Sequence, residues 1–444
     1  MGRCAVSTQK QKRPFALRAL AAFAGTLAIL FVLLLAAYAL PGERVRQHVY
    51  DSARTIQNEG LYPEYLGFKL FQMDNYTDTL MLFEAASADE LPPLQAMMTN
   101  TAYNVDNFET LADDLAWYIE KDWSTGAQRT DAPTLEPFSY ARYWHGYLIW
   151  LRPLLLLMPY TGVRIVQYIV LFALLAVVLV QLRRRCGLRA AVWFAVSQLA
   201  VSVWFVPHQV QYFTCFMIAY AGCAWVLAKP RRSDVLCLGL LVLGTATAFC
   251  DLLVTPIITL GLPLTCWLLE PQQRLRGGVP QCALAVGGSL CWGTGYALCW
   301  AGKWALAGAV TGNNVLADAL HQAEVRTTAD TWHGMELTWR NIFSFLYDTL
   351  NSHHLFWPAL AVLAVLIALF LLSIRGKTAL VRALPLALTT CMTPAWFVLL
   401  RTHSIQHGWF TWRALGLTVF AGLAFLYYAC DLRAARRRLQ KGSI

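Results

Sequence analysis

The sequence predicts an all-α, polytopic membrane protein with about ten spanning helices and a large helical first extracytoplasmic loop. Three observations predict this class. Hydrophobic residues make up 57% of the 444 positions and charged residues only 14%, a composition outside the usual soluble range. Apolar runs near the length of a hydrocarbon core recur along the chain. When these runs are counted as spans, the connections rich in Lys and Arg all fall on one side.

The first apolar run, residues 17–40, follows the basic residues 1–16. It is too long for the apolar part of a typical signal peptide, so it predicts a retained first transmembrane helix. Helices 2–7 are predicted within residues 163–302, with two of the spans at roughly 188–206 and 252–269, and helices 8–10 within residues 355–430. Residues 143–158 are apolar but too short to cross, and they predict an interfacial or re-entrant helix.

Basic connections set the predicted orientation. They are residues 183–189, 229–232, 274–276 and 375–377, together with the tails 1–16 and 431–444. Because cytoplasmic loops carry an excess of positive charge, both termini are predicted to be cytoplasmic in a multi-pass protein of the cell (plasma) membrane. The net charge of +10 is then mostly a topology signal, and no nucleic-acid partner is predicted.

The first extracytoplasmic loop, residues 41–162, is acidic. Seventeen of the 26 Asp and Glu residues lie between Pro41 and Trp144. A helix is predicted in the stretch "ERVRQHVYDSARTIQNEG", where Gly60 ends it. Thr77 is the predicted N-cap of the next helix. That helix and a third, amphipathic one are predicted at residues 78–89 and about 105–121.

Several function classes are disfavoured. The chain contains no GxxxxGK[ST], GxGxxG, CxxC or HExxH motif, and its cytoplasmic loops are too short for a nucleotide-binding domain. The predicted spans carry almost no ionisable residues in their interiors, which disfavours an ion-coupled transporter. We therefore expect the chemistry at the outer face, in residues 41–162, in a second loop at 303–354 and in a third at 401–413.

Two carboxyl groups stand out in the stretch "KLFQMDNYTDTLMLFEAASADE", residues 69–90. Asp74 and Asp78 are four residues apart, so they can share one face of a helix. Mutual repulsion and partial burial would raise one pKa enough for a general base. The alternative is structural, because an Asp before or in the first turn of a helix often caps and solvates it.

Arg142, His145 and Arg152 lie beside aromatic residues at the predicted membrane boundary. A guanidinium group bonds phosphate in a bidentate way, so these residues predict a clamp for an anionic headgroup or lipid phosphate. Ordinary interfacial anchoring by Tyr, Trp and Arg is the alternative.

The outer loop "RTHSIQHGWFTWR", residues 401–413, is a second basic and aromatic cluster. Basic residues outside oppose the positive-inside trend, which favours phosphate binding by Arg413, His403 and His407. Two histidines four residues apart could also bind a divalent metal, but the loop shows no third ligand. A metal is not indicated, and no cofactor is predicted.

The layout of residues 17–206 resembles the GT-C class of membrane glycosyltransferases. The shared parts are an anchor helix, a large acidic outer loop and a short Pro-bearing helix at the membrane surface. The stretch "YWHGYLIWLRPLLLLMPYTGVRIVQYIVLFALLAVVLVQLRRR" is similar to the segment of those enzymes in which a loop motif, a short apolar helix and a span ending in basic residues follow each other. The later spans match only in number and orientation.

The resemblance implies a GT-C-like fold and sugar transfer from a polyprenyl-phosphate donor. In that class an acidic residue of the first outer loop acts as base on the acceptor, which implies Asp78 or Asp74 here. The family's acid usually lies closer to the end of the first helix, so Asp51 is a third candidate. Basic groups of later outer loops bind the lipid phosphate, which suggests Arg413 with His403 or His407.

The partners expected are therefore a lipid-linked sugar donor, an acceptor at the cell envelope and membrane lipids. The alternatives are a lipid or glycolipid transporter or flippase and a non-catalytic membrane partner protein. The sugar, the acceptor and the oligomeric state stay open.

Overall fold

The computed structural model describes residues 14–88, 90–103, 137–276, 278–328, 331–332, 335–336, 338, 341, 343–351, 354 and 356–431. In this part of the chain nearly all regular structure is helical. The predicted helix at 105–121 lies outside the described residues.

Within the described residues, eight helical segments are long and apolar enough to cross a membrane. They are α1 (Phe15–Tyr38), α6 (Tyr160–Cys186), α8 (Val210–Ala228), α9 (Ser233–Cys250), α12 (Gly278–Thr311), α15 (Phe356–Ser373), α16 (Lys377–Leu399) and the run Gly408–Ala429, which joins α18 (Gly408–Thr411), a 3-10 turn (Trp412–Ala414) and α19 (Leu415–Ala429). The prediction of an all-α, multi-pass membrane protein is thereby confirmed.

Two predicted spans, residues 188–206 and 252–269, are only partly helical. They contain α7 (Leu188–Ala200) and α10 (Ile257–Leu269), each of 13 residues, or about 20 Å of helix against a hydrocarbon core of about 30 Å. A 3-10 helix, Val203–His208, continues α7, and irregular backbone precedes α10. The count of ten spans therefore stays a prediction.

The part of the chain that is predicted to lie outside the membrane holds short elements. They are α2 (Glu43–Glu59), 3-10 turns at Tyr65–Gly67 and Lys69–Phe71, α3 (Asn75–Ser87), α4 (Pro93–Thr99), the antiparallel pair β1 (Thr101–Tyr103) and β2 (Pro137–Ser139), and α5 (Leu148–Leu155). The helix predicted before Gly60 is confirmed as α2. The interfacial helix predicted at 143–158 is shorter, and forms α5.

The start of α3 differs from the prediction. The N-cap is Asp74 and not Thr77, because Asp74 Oδ1 accepts a hydrogen bond from the Thr77 amide at 3.0 Å. The helix therefore begins at Asn75, three residues before the predicted start at 78.

The later elements that are predicted to lie outside follow α12, which continues beyond its predicted end at 302. They are α13 (Val315–Thr328), the two-residue strands β3 (Thr331–Trp332) and β4 (Met335–Glu336), α14 (Ser344–Asn351) and α17 (Arg401–Gln406). At the opposite end, a short α11 (Pro271–Arg274) follows α10.

The predicted cytoplasmic connections meet at one end of the bundle. Arg185 forms an ion pair with Glu270 at 2.8 Å, and the Trp267 ring donates to the Arg231 carbonyl at 3.1 Å. The 183–189 and 229–232 connections and the end of α10 are therefore neighbours. At the other end Trp304 donates to the Arg142 carbonyl at 3.0 Å. Which end faces the cytoplasm stays a prediction.

Glycines allow α9 and α12 to pack closely. A Cβ atom at Gly244 would lie 2.1 Å from the Trp292 carbonyl oxygen, and one at Gly295 would lie 2.2 Å from the Leu241 carbonyl oxygen. Membrane helices commonly use small residues for such backbone approach. The two glycines therefore let α9 and α12 pack as one unit.

Candidate functional site

The Asp78 carboxyl group lies fully buried at the N-terminus of α8. Its Oδ2 accepts from the Val210 amide at 3.3 Å and its Oδ1 from the Gln211 amide at 3.2 Å. The Tyr160 hydroxyl also donates to Oδ2. The N-cap of α8, Gln209, makes no capping bond with its own side chain. Asp78 therefore satisfies the first free amides of α8 from outside that helix.

The environment of Asp78 favours a group that titrates near neutrality. Burial raises the pKa of this carboxyl to about 7, although hydrogen bonds from Tyr160 and Gln211 oppose the increase. A carboxylate with such a pKa can take up a proton and release it at physiological pH.

Asp74 lies one turn before Asp78 and has a structural role. Its Oδ2 accepts from the Thr77 hydroxyl at 2.9 Å, in addition to the amide bond that caps α3. Its own amide donates to Gln209 Oε1 at 2.7 Å. Burial raises the pKa of Asp74 as well. The side chain thus ties the start of α3 to the residue before α8.

Asp51 lies elsewhere. It is exposed on α2, where Gln47 Nε2 donates to its Oδ1 at 3.2 Å. The structure brings Asp74 and Asp78 together and leaves Asp51 at the surface.

Arg413 packs against Tyr212, the residue that follows the two amides bonded to Asp78. The guanidinium carbon is 4.7 Å from the centre of the Tyr212 ring, and the group donates to the carbonyls of Trp409 at 3.0 Å and Leu70 at 2.9 Å. Arg413 is only 1% exposed. Asp78 and Arg413 are thus assembled around the first turn of α8.

His403 and His407 pack on each other, with their ring centres 4.7 Å apart. His403 Nε2 lies 2.8 Å from the Leu253 carbonyl oxygen. Burial lowers the pKa of His403 well below its usual value and that of His407 to about 4. Both rings are neutral at pH 7, so they could bind a phosphate only through N–H donation.

No group of three or more His, Cys, Asp or Glu side chains that could hold a metal occurs among the described residues. The two histidines therefore do not acquire a third ligand of these types within that part of the chain.

A cavity of about 210 Å³ lies close to this histidine pair, with Leu253 in its wall. Arg142 and Arg326 face it together with Trp300 and Trp304. It is an aromatic space with two guanidinium groups, of which Arg142 is also paired with Asp318 at 3.3 Å.

Three buried polar atoms of the cavity wall have no hydrogen-bond partner within the described part of the chain. They are Arg142 Nε, Trp300 Nε1 and the Tyr296 hydroxyl. Leaving such groups unpaired costs roughly 1–3 kcal/mol each. A ligand in the cavity would supply the missing partners.

Arg326 was missed by the sequence reasoning. Its Nη1 donates to the Tyr143 hydroxyl at 2.5 Å, and it lies on α13 beside Arg142 in the cavity wall. Like Arg413, Arg326 is a basic residue in a predicted outer loop, and this feature is visible in the sequence.

Two other predicted phosphate ligands do not line this cavity. Arg152 is 0% exposed and donates to the carbonyls of Tyr38 at 3.2 Å and Leu40 at 3.0 Å, at the end of α1. His145 is also buried, and its Nδ1 lies 2.6 Å from Glu84 Oε2. Both side chains have protein partners in the structure, and their phosphate-binding role stays a prediction.

A second buried charge, Lys303, was also missed. Its ammonium group donates to Asn100 Oδ1 at 2.5 Å and to the Met97 carbonyl at 2.7 Å. Asn100 Nδ2 in turn donates to the Tyr38 hydroxyl at 2.7 Å. The lysine fastens α12 to α4 and to the end of α1.

Together these features define a multi-pass helical membrane protein with a buried titrating carboxyl and a basic aromatic cavity at the same end. No family model, curated protein or solved structure matches the chain.

Proposed function

We propose that the protein is a GT-C-like glycosyltransferase that moves a sugar from a polyprenyl-phosphate donor to an acceptor at the extracytoplasmic face. One observation carries the proposal. Asp78 accepts from the two amides that precede Tyr212, and the Arg413 guanidinium lies against the Tyr212 ring. A proton acceptor and a phosphate-binding group are therefore held around one helix terminus.

In this mechanism Asp78 removes the proton of the acceptor hydroxyl. The resulting oxygen attacks the anomeric carbon of the donor sugar, and the bond from that carbon to the phosphate oxygen breaks. The lipid phosphate leaves with the electron pair and gains negative charge. Positioned guanidinium groups stabilise such a leaving group. Arg413, whose guanidinium carbon lies 4.7 Å from the centre of the Tyr212 ring, is the group proposed for this role.

The cavity supports the same function. Arg326, together with Arg142 whose Nη1 also lies 3.3 Å from Asp318 Oδ2, supplies positive charge for the donor phosphate, and Trp300 and Trp304 supply flat apolar surfaces. The Leu253 carbonyl contacts His403 while the Leu253 side chain lines the cavity. Packed side chains therefore connect the cavity with the 401–413 segment that carries Arg413.

The test is a transfer assay with purified protein and a polyprenyl-phosphate sugar, in which the product is identified by mass spectrometry. Asp78→Asn should lower the transfer rate by about 100-fold or more, the scale of a lost general base. Asp348→Asn removes an exposed outer carboxylate on α14 and should leave the rate unchanged. Full activity in both Asp78→Asn and Asp74→Asn would overturn the proposal.

A second candidate, a lipid or glycolipid transporter, is favoured by a different observation. The short helices α7 and α10 are each joined to irregular backbone, a common feature of transporter binding sites. The buried Asp251 lies in the irregular segment before α10, where its Oδ2 accepts from the Val254 amide at 3.0 Å. Burial raises the pKa of Asp251 to about 7.

The transporter candidate predicts movement of a labelled glycolipid between vesicle leaflets without a covalent product. Asp251→Asn should abolish that movement, while Asp78→Asn should not. A third outcome is that neither transfer nor movement occurs and that the Asp74→Asn and Asp78→Asn variants behave like the wild type. In that case the protein is best explained as a non-catalytic membrane partner.

A further inference from the structure

A second cavity lies at the opposite end of the bundle. It has a volume of about 410 Å³ and is formed where α10 and α11 end and where α12 and α16 begin. We refer to it as the basic-end cavity. Its wall contains Arg274, Arg375 and Arg382, and none of the described residues that line it is Asp or Glu.

The hydrogen-bond partners of these guanidinium groups in the described part of the chain are neutral. Arg274 Nη1 donates to the Tyr428 hydroxyl at 2.5 Å, and Arg375 Nε donates to the Cys430 carbonyl at 2.5 Å. Within the described part of the chain, none of the three forms an ion pair, and Arg382 makes no hydrogen bond through its side chain. A cavity with three unpaired positive charges attracts an anion.

The same wall contains a buried side-chain amide whose oxygen atom has no hydrogen-bond partner among the described residues. Gln281 is 3% exposed, and its Nε2 donates to the Gln273 carbonyl at 2.9 Å. Since a carbonyl can only accept, this bond fixes which end of the amide is nitrogen. The Gln281 Oε1 is buried and has no partner among the described residues. It needs a hydrogen-bond donor, which a bare phosphate dianion does not provide.

The surroundings of the basic-end cavity suit an amphiphile. α12 begins at Gly278, which packs closely against α16. A Cβ atom added to Gly278 would lie 1.6 Å from the Val381 carbonyl oxygen. The first turns of two long helices therefore border the cavity and favour negative charge. Leu275 and Val279, which lie close to Gly278 in sequence, are 88% and 66% exposed. Apolar side chains exposed beside a basic cavity fit a lipid whose chains lie along the bundle.

We propose that the basic-end cavity binds an anionic phospholipid whose headgroup carries a free hydroxyl, as phosphatidylglycerol does. The guanidinium groups of Arg274 and Arg382 bind the phosphate, and the headgroup hydroxyl donates to Gln281 Oε1. This site lies at the other end of the bundle from Asp78 and does not rest on the proposed transfer reaction.

The first test is native mass spectrometry of the delipidated full-length protein in detergent. Phosphatidylglycerol should bind at least about tenfold more tightly than phosphatidylcholine, since each basic residue near an anionic headgroup contributes about fivefold. Arg382→Gln should weaken phosphatidylglycerol binding about fivefold, and adding Arg274→Gln should weaken it further. Because Arg382 makes no side-chain hydrogen bond among the described residues, its replacement leaves the protein contacts intact.

Arg276→Gln is the matched control. Arg276 is exposed two residues after Arg274 and is not in the cavity wall, so its loss should change the affinity by less than about twofold. An equal loss for Arg276→Gln and Arg382→Gln would show only general surface charge. Binding of phosphatidylcholine as tight as that of phosphatidylglycerol, or complete displacement by inorganic phosphate, would also overturn the proposal.

The second test concerns the hydroxyl. The wild type should prefer phosphatidylglycerol over phosphatidic acid, which lacks the glycerol headgroup. Gln281→Leu should remove this preference and retain binding of phosphatidic acid through the arginines. Retained phosphatidic acid binding also shows that the variant is folded. A preference unchanged in Gln281→Leu would refute the role of Gln281.

Discussion

The His145 imidazole Nδ1 lies 2.6 Å from Glu84 Oε2, and both side chains are buried. The Tyr147 hydroxyl donates to the same carboxylate, and His145 Nε2 lies 3.0 Å from the Tyr140 carbonyl oxygen. His145 has a left-handed backbone with φ of 55°, which costs of order 1–3 kcal/mol unless the surroundings hold it. The pair with Glu84 therefore fixes the turn that leads from β2 into α5.

Removal of Glu84 should destabilise the protein. Glu84→Ala leaves the buried His145 and Tyr147 groups without their acceptor, and breaking a buried pair in this way costs about 3–5 kcal/mol. Thermal unfolding in detergent should show a clear decrease in Tm. Glu64→Ala removes an exposed carboxylate of the same outer region and should change Tm little. Similar decreases for both variants would contradict the role of the pair.

The pH dependence of stability should report on Asp78. The pKa of Asp78 is raised in the folded protein from 3.8 to about 7, so the folded state holds this proton more tightly than the unfolded state. Stability therefore falls as pH rises from about 4 to about 7, by up to about 1.4 kcal/mol per pH unit, and the cost is fully present above that window.

The measurement is the Tm of the wild type minus that of Asp78→Asn at each pH. Asn cannot ionise, so the difference isolates Asp78 from Asp74 and Asp251, which are also buried. The difference should fall as pH rises through the window. A flat difference would mean that Asp78 is ionised in the fold throughout.

The membrane class was predictable because it depends on composition, run length and the positions of Lys and Arg. The irregular parts of two predicted spans were not. An apolar run reports burial but not backbone regularity, and Ser202 adopts a left-handed conformation with φ of 55° inside the run at 188–206. That break is stabilised by the packing of the 3-10 helix on the outer elements, which local sequence does not encode.

The site was predictable only in part, for the same reason. The spacing of Asp74 and Asp78 predicts that they can share one helix face. The amides that donate hydrogen bonds to Asp78 belong to α8, however, more than 130 residues later. Glu84 and Lys303 looked unremarkable in sequence because their partners come from other helices. A pattern along the chain can nominate residues, whereas tertiary contacts decide which of them are buried together.

Close packing of α9 and α12 gives a matched pair of variants on one helix. Gly295→Ala would place a Cβ 2.2 Å from the Leu241 carbonyl oxygen, whereas Gly293→Ala meets nothing within 4 Å. Forcing the two backbones apart should cost roughly 1–3 kcal/mol, while Gly293→Ala should be neutral or slightly stabilising. Thermal unfolding distinguishes the two. Equal Tm values would show that the helices can separate without loss.

The number of crossings can be tested at the connection 229–232. If α7 and α10 complete their crossings with the irregular backbone attached to them, this connection lies at the same end as 183–189, as the contacts of Arg231 and Arg185 indicate. If neither helix crosses, α8 and α9 run across the membrane in the opposite directions. The basic connection 229–232 then lies outside, against the positive-inside trend. Lys229 is exposed and suits a cysteine replacement.

Lys229→Cys should resist a membrane-impermeant maleimide in intact cells and react after permeabilisation, once the signal of the wild-type cysteines is subtracted. Asn313→Cys, in the exposed connection between α12 and α13, is the control and should react in intact cells. Labelling of Lys229→Cys from outside would reject ten crossings. Labelling of neither residue would instead mean that the predicted orientation is inverted or that the outer connection is covered, and Lys229→Cys in inside-out vesicles separates these two cases.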